Sequence, residues 1–556
     1  MGGRTKHLRW LTAVLLVAML ALSACTGSGT APKSDATGTA KEETPKTEPA
    51  PSGPVSLVWG RGGDSVGLDP INVTDGESFK VTHQIYEALL EYKLGGTEVE
   101  AALATEWQAS PDGKEWTLKL RQGVKFHDGT EFDAEAVKIN FDRWRDTKNP
   151  YHKGGEFGYY TYMFGGFDDD SVIKEVQVVD KHTVKFVLKQ IQASFLQDLA
   201  MAMFAIASPK AIQADPEKLM TNPVGTGPFK FVSWSKGDKI VLEANKDYWG
   251  GKPQIEQLIY RSIPDNNARL IALRAGELDI MDGVEPAFLD VIKGTNQFDI
   301  AERPAMNVGY LAFNFEKEPF DDPRIRKAIN HAINRDELNT AFYGGMGTPA
   351  VSPLPPAVWG HNPDVPKYPF DPEKAKALLK EAGYSPENPL KTELWAMPVP
   401  RPYMPQPQKI AVALQGYLRD VGIDAKIVTY DWGTYLDKTG MGEHTMALLG
   451  WTGDNGDPDN FLYVLLDKDN AKGPDAGNIA FYKSDAVHEL LIAARTTTDK
   501  NKRIDLYREA QKVIMEDAPW APLMHARVPI AVRKGITGYV PSPMGSEPLT
   551  KVVVSK

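Results

Sequence analysis

The sequence predicts an α/β fold, built as two or three domains, and three observations carry that reading. The chain has 556 residues, 42% hydrophobic and 24% charged, a globular composition too long for one core. From about Ala305 onward, helix-like and strand-like patterns alternate, as they do in layered α/β proteins. The apolar run Met446-Ala447-Leu448-Leu449 passes directly into Gly450-Trp451-Thr452-Gly453-Asp454-Asn455-Gly456-Asp457-Pro458-Asp459-Asn460-Phe461. That order reads as a buried strand stopping abruptly in a loop of unusual backbone geometry.

Taken in order, residues 55–59 alternate like a strand, 60–67 form a loop and 68–70 a turn. The spacing of Phe79, Ile85, Tyr86, Leu89 and Leu90 predicts an amphipathic helix over 79–92. A strand is expected at 116–120, a turn-rich link at 121–132 and a helix at 134–144. Two strands, 174–179 and 183–188, flank the turn Asp180-Lys181-His182. The glycine loop 222–229 feeds another strand, and 265–276 is a helix ending at a glycine cap. Residues 308–315 read as a strand, then 322–333 as a helix opened by Pro323. Helices are expected at 371–382, 407–421 and 501–516, strands at 391–396, 423–430 and 445–450, and a strand-rich segment at 527–556.

The N-terminus has a different character. Arg4, Lys6 and Arg9 precede an apolar stretch over 10–22, then Leu22-Ser23-Ala24-Cys25. This is a signal-peptide pattern, and its apolar part is too short to span a bilayer stably. Cys25 is the only cysteine of the chain and stands where the bacterial lipobox, which this tetrapeptide resembles, requires one. Residues 1–25 are therefore expected to be a lipoprotein signal, with Cys25 the lipidation site on the outer face of the cell membrane. Residues 26–54, almost devoid of apolar side chains, read as a disordered tether. No internal disulfide is expected.

The net charge of −10, or −13 once residues 1–25 are removed, and the absence of a basic run argue against nucleic acid. His488-Glu489-Leu490-Leu491-Ile492 ends on Ile where a zinc helix needs His, and no enzyme is expected. His127-Asp128 reads as a turn-capping pair, and Gly345–Ala350 as a chance match to a dinucleotide fingerprint. A calcium loop starting at Asp454 would place Leu465 where a bidentate Glu belongs. No cofactor and no metal are expected. What stands out is the acidic glycine loop around Asp454 and a second stretch, Trp395–Tyr403, in which Arg401 is held between prolines. An acid and a stiffly held arginine suit a small zwitterion.

Leu120–Gly129, Gly225-Thr226-Gly227-Pro228-Phe229, Ala275–Asp279 and Asp321–Ala328 resemble segments of the large solute-binding proteins of ABC importers, family 5, which take peptides, nickel and related solutes. Within that class Trp395–Tyr403 and Ala425–Phe461 are most similar to the dipeptide binders. The resemblance implies two α/β lobes joined by two hinge crossings: lobe I at 55–305 plus 525–556, with an extra subdomain at about 86–220, and lobe II at 306–524. It implies that Asp454 receives the ligand's ammonium and Arg401 its carboxylate. Tyr403 and Trp451 would wall side-chain pockets, backbone at Pro402, Thr452 and Gly453 would meet the ligand main chain, and Thr74 would touch the ligand from lobe I. The implied partners are a short peptide, a dipeptide above all, and an ABC permease, with the protein a monomer. The same fold could instead take oligopeptides, glutathione-like peptides, haem or a nickel chelate. The cysteine pairs of better-known dipeptide binders are missing here.

Overall fold

A computed structural model describes residues 54–474 and 476–555; the signal segment, Cys25 and the tether up to Gly53 lie outside the described residues. Two large mixed sheets organise the chain. The first has seven strands in the order Phe298–Arg303, Val528–Arg533, Ile280–Met281, Ser56–Arg61, Gln257–Ser262, Lys239–Ala244, Phe229–Ser235. The second has six, in the order Gly347–Pro349, Trp520–Ala526, Asn307–Phe313, Met446–Thr452, Leu390–Trp395, Ile423–Val428. A smaller antiparallel sheet joins Ala104–Ala109, Glu115–Leu120, Thr183–Leu188 and Ile173–Asp180.

The chain passes from the first large sheet to the second at residues 304–306 and returns at the single residue Arg527. Glu302 and Arg527 form an ion pair (3.1 Å) across these two crossings. Beside them the buried Arg303 guanidinium lies 2.5 Å from Glu547 and 3.6 Å from Asp282.

In the six-stranded sheet, every residue of Asn307–Phe313 and of Trp520–Ala526 is buried, as in strands covered on both faces. Tyr310 and Trp520 stack between them at 3.7 Å. Helix Pro407–Val421 covers the sheet with Ile410, Ala411, Leu414, Leu418 and Val421, spaced three and four apart. Pro407 opens it, and Gly422, at φ 102°, closes it in a conformation few other residues adopt.

The helix expected over 79–92 is instead Gly76–Ile85, followed by a strand Leu90–Tyr92 paired with Val99–Ala101. It starts early because Asp75 accepts the amide of Ser78 as N-cap. It stops because the Ile85 carbonyl is taken by Gly227 N–H (2.9 Å) rather than by the next helical turn. The Gly225–Gly227 loop packs so closely there that a Cβ on Gly225 would lie 2.2 Å from the Ile85 oxygen. His127 is structural: its Nε2 lies 2.9 Å from Gly227 O, and Asp128 accepts from the Ser208 hydroxyl at 2.6 Å.

Candidate binding site

The acidic loop follows strand Met446–Thr452 and leads into helix Asp459–Leu466. Its glycines are dictated by close packing. A Cβ on Gly453 would lie 2.7 Å from the Phe461 ring, and one on Gly456 2.3 Å from Thr97. Asn460 pins the loop by accepting the Asp454 amide (2.9 Å) and the Trp451 indole N–H (3.0 Å).

The loop's aspartates are not equivalent. Asp457 pairs with Arg503 at 2.8 Å and Asp459 with Arg495 at 3.2 Å. Asp454 has no cationic partner among the described residues. Its Oδ2 accepts from the Tyr159 hydroxyl at 3.1 Å and from Asn460 Nδ2 at 3.4 Å, and its Oδ1 carries no hydrogen bond from them. Burial pushes this carboxyl up to about 7, against the hydrogen bonds that favour its charge. It is an acid placed where its charge is costly until a cation arrives.

Arg401 is the complementary case. The chain leaves strand Leu390–Trp395 and makes a tight turn, with Arg401 and Met404 exchanging backbone hydrogen bonds at 3.0 and 2.9 Å. The guanidinium lies over the Trp432 ring, 4.4 Å from its centre, and has no ion pair among the described residues. It acts through space on Asp75, whose carboxyl is nonetheless raised, chiefly by burial.

Helix Gly76–Ile85 spans the interval between these charges. Asp75 at its start feels Arg401, while Phe79 and His83, one and two turns on, share a crevice with Asp454. Four to eight residues of helix rise about 6–12 Å, the range of a fully extended dipeptide, about 7 Å.

Strand Met446–Thr452 offers main-chain groups in between. It pairs along its length with Asn307–Phe313, but its pairing with Leu390–Trp395 ends at Trp395 opposite Ala447. The Tyr435 hydroxyl lies 2.8 Å from Leu448 O, on the side that strand has left. Gly453 N–H points the other way, donating to Met306 O at 2.8 Å. By the alternation of an antiparallel ladder, Gly450 and Thr452 turn their amide and carbonyl groups to the open side.

The sequence-expected residues thus separate. Arg401, Asp454, Trp451 and Thr452 are each partly exposed, and Pro402 is half-buried beside Arg401. Thr74 is exposed just before Asp75. Tyr403 does not wall a pocket: it is 7% exposed, its ring fills the space beside Gly450, and its carbonyl accepts from Tyr343 at 3.0 Å. Gly453 cannot offer its amide, because Met306 has it. Sequence reasoning missed Tyr159, Trp432 and Asp75. Only Asp75 left a signal, as an acid three residues before Ser78 at a helix start.

Asp467, Asp469 and His488 place ligand atoms within 4.8 Å of one another at the far end of helix Asp459–Leu466. There His488 Nδ1 lies 3.0 Å from Asp467, so the group already closes on itself as a hydrogen-bonded pair.

A family model described as bacterial extracellular solute-binding proteins, family 5 middle, matches residues 98–473. The dipeptide-binding protein of Escherichia coli K12 is 41% identical over 513 residues, covering 90% of this chain and 94% of that protein. Two solved structures are similar over 90% of this chain. One is the periplasmic binding protein DppA of Helicobacter pylori in complex with the peptide STSA (TM-score 0.83, 38% identity, 98% of that chain). The other is the dipeptide binding protein of Pseudoalteromonas sp. SM9913 in complex with Met-Leu (TM-score 0.84, 33% identity, 100% of that chain).

Proposed function

Because this chain belongs to the bacterial extracellular solute-binding proteins of family 5, we propose that it captures short peptides, dipeptides foremost, outside the cytoplasmic membrane and delivers them to the permease of an ABC importer. The observation that carries this reading is the pair of charges unmatched among the described residues: Asp454 without a cation and Arg401 without an ion-paired anion. The ligand ammonium takes the open Oδ1 of Asp454, and the ligand carboxylate meets the fork of Arg401 in two parallel hydrogen bonds. Between them, the ligand amide lies along the free edge at Thr452. The N-terminus of helix Gly76–Ile85 adds a favourable dipole at the carboxylate end.

Two pinned ends make length the selected quantity. A longer peptide misplaces one terminus and leaves a desolvated charge unpaired, which is costly. The lobes take the sheets as their cores, with 55–305 plus 525–556 on one side and 306–524 on the other, and the crossings at 304–306 and Arg527 as the hinge. The ligand favours the closed arrangement by bridging both. Lipidation at Cys25 tethers the protein to the membrane, and it works as a monomer.

Calorimetry after unfolding and refolding, to strip carried-over ligand, tests the reading. Ala-Ala should bind, and Ala-Ala-Ala, Ser-Thr-Ser-Ala and N-acetyl-Ala-Ala should bind at least about a hundredfold more weakly, as expected for one unpaired buried charge. Equal affinity for the acetylated peptide would overturn the ammonium site. A spectral titration with haem and no response to any peptide would overturn the ligand class.

A further inference from the structure

Helix Arg335–Tyr343 ends in a left-handed turn, with Gly344 at φ 60° and Gly345 at φ 73°. The short segment from Tyr343 to Met346 touches three other parts of the molecule. The Tyr343 hydroxyl donates to the carbonyl of Tyr403 at 3.0 Å. That carbonyl lies inside the turn closed by Arg401 and Met404, and it is pressed against Gly309, where a Cβ would lie 2.7 Å from it. Gly344 rests on Pro286: a Cβ on Gly344 would lie 2.5 Å from the Pro286 Cβ. The Met346 carbonyl accepts from the amide and from Nε of Arg527, both at 3.3 Å, and Arg527 is the return crossing between the two large sheets. Pro286 is anchored on its own side. Asp282, four residues before it, is ion-paired with Lys80 of helix Gly76–Ile85 and lies 3.6 Å from Arg303.

We infer that Tyr343 and Gly344 are positioning residues for peptide capture: together they brace the Arg401 turn against the opposite lobe, so that the guanidinium is already aimed when the lobes close. The inference rests on the reading of Arg401 as the carboxylate site and on the division of the lobes given above, which puts Gly344 in one lobe and Pro286 in the other. Tyr343 is 3% exposed and its hydroxyl is engaged by Tyr403, so it acts through the turn and not on the peptide. The turn needs such a brace. A bidentate pair is strong only when both of its hydrogen bonds are well aligned, and stacking on Trp432 fixes the plane of the guanidinium but not the backbone that carries it. The buried hydrogen bond at Tyr403 fixes that backbone, and a binding group ordered in advance loses less freedom when the ligand arrives. Gly344 completes the brace because the left-handed turn and the nearness of Pro286 leave no room for a side chain. Gly345 has the same backbone hand but nothing within 4 Å of the place a Cβ would take.

The test is a double-mutant cycle on the full lipid-free protein, read by calorimetric titration with Ala-Ala. Tyr343→Phe keeps the ring, loses the hydroxyl and should weaken Ala-Ala about tenfold. In an Arg401→Lys background, which has no fork to aim, the same change should cost less than about twofold. A loss of equal size in both backgrounds, or no loss in either, overturns the positioning role of Tyr343. Gly344→Asn and Gly345→Asn then test the contact between the lobes. Asparagine tolerates the left-handed conformation at both positions, and only the first of the two meets Pro286. Gly344→Asn should weaken Ala-Ala severalfold, and Gly345→Asn should leave it within about twofold. Equal effects of the two overturn the role of Gly344. Should Gly344→Asn not fold, Pro286→Gly withdraws the ring on which Gly344 rests and should bring the same severalfold loss; unchanged affinity there overturns that role as well. Ala-Ala amide binding the unaltered protein as tightly as Ala-Ala would overturn the carboxylate reading of Arg401, and the positioning role with it.

Discussion

At the scale of single residues, the site is a contrast between charges the protein has matched and charges it has left open. Asp457 and Asp459 carry their own arginines; among the described residues Asp454 carries neutral donors alone. Its carboxyl, raised to about 7 against an ordinary value near 4, makes the ligand-free protein less stable at high pH. The cost is full above about pH 7 and gone below about pH 4. Asp454→Asn should therefore raise the melting temperature of the ligand-free protein at pH 8 and leave it nearly unchanged at pH 4, while dipeptide affinity falls at least about a hundredfold. Affinity of the unaltered protein should drop up to tenfold per pH unit below about 7, as the ammonium must displace a proton from Asp454. It should decline again above about pH 8, where the peptide's own amine deprotonates. Binding constants measured from pH 5 to 9 at fixed ionic strength check both limbs. Arg401→Lys keeps the charge but loses the fork and the stacking on Trp432, and should cost about tenfold in affinity by the same titration.

At the scale of elements, long amphipathic helices were legible and short buried ones were not. The expected 371–382, 407–421 and 501–516 correspond to Pro372–Glu381, Pro407–Val421 and Lys500–Asp517, each with an apolar stripe and an N-cap or opening proline. Helix Asp459–Leu466 escaped because all eight of its residues are buried, which removes the polar face that periodicity needs. Helix Gly158–Phe164 escaped for brevity, and with it Tyr159, which meets Asp454 across 295 residues of sequence. Arg401 and Asp454 could be read because each sits in an odd local composition. Their surroundings could not, because Trp432 and Asp75 are ordinary residues until the fold brings them near. The strand–turn packing at the site is tight enough to test. A Cβ on Gly450 would lie 2.2 Å from the Tyr403 ring and 2.5 Å from the Val308 carbonyl. Gly450→Ala should lower unfolding free energy by about 2–3 kcal/mol in denaturant titration, and weaken binding by displacing the turn that carries Arg401.

At the scale of the whole molecule, side chains beyond the ligand site hold its surroundings together. Asn455 donates to Asp198 at 3.2 Å, and Arg495 donates to Met163 O at 2.9 Å while its own carbonyl accepts from Ala193. These join the loop after strand Met446–Thr452, and helix Asp485–Arg495, to Met163 in helix Gly158–Phe164 and to Ala193 and Asp198, which follow the small sheet's strand Thr183–Leu188. None of these residues is among those assigned to the ligand. Asn455→Ala should therefore speed dipeptide release severalfold in stopped-flow displacement and leave the association rate within about twofold. An unchanged release rate would mean that this contact does not limit opening.

The single-residue return at Arg527 has a consequence for the order in which the molecule can be built. The six-stranded sheet is made from one uninterrupted stretch, Asn307 to Ala526. The seven-stranded sheet is not: Val528–Arg533 is wedged between Phe298–Arg303 and Ile280–Met281, and Phe298–Arg303 has no other strand partner in it. As the chain emerges N-terminus first, the earlier half must wait with an unpaired edge until Val528–Arg533 arrives, although the later half can already close. Loss of the chain from Val528 onward would strand the half that was synthesised first.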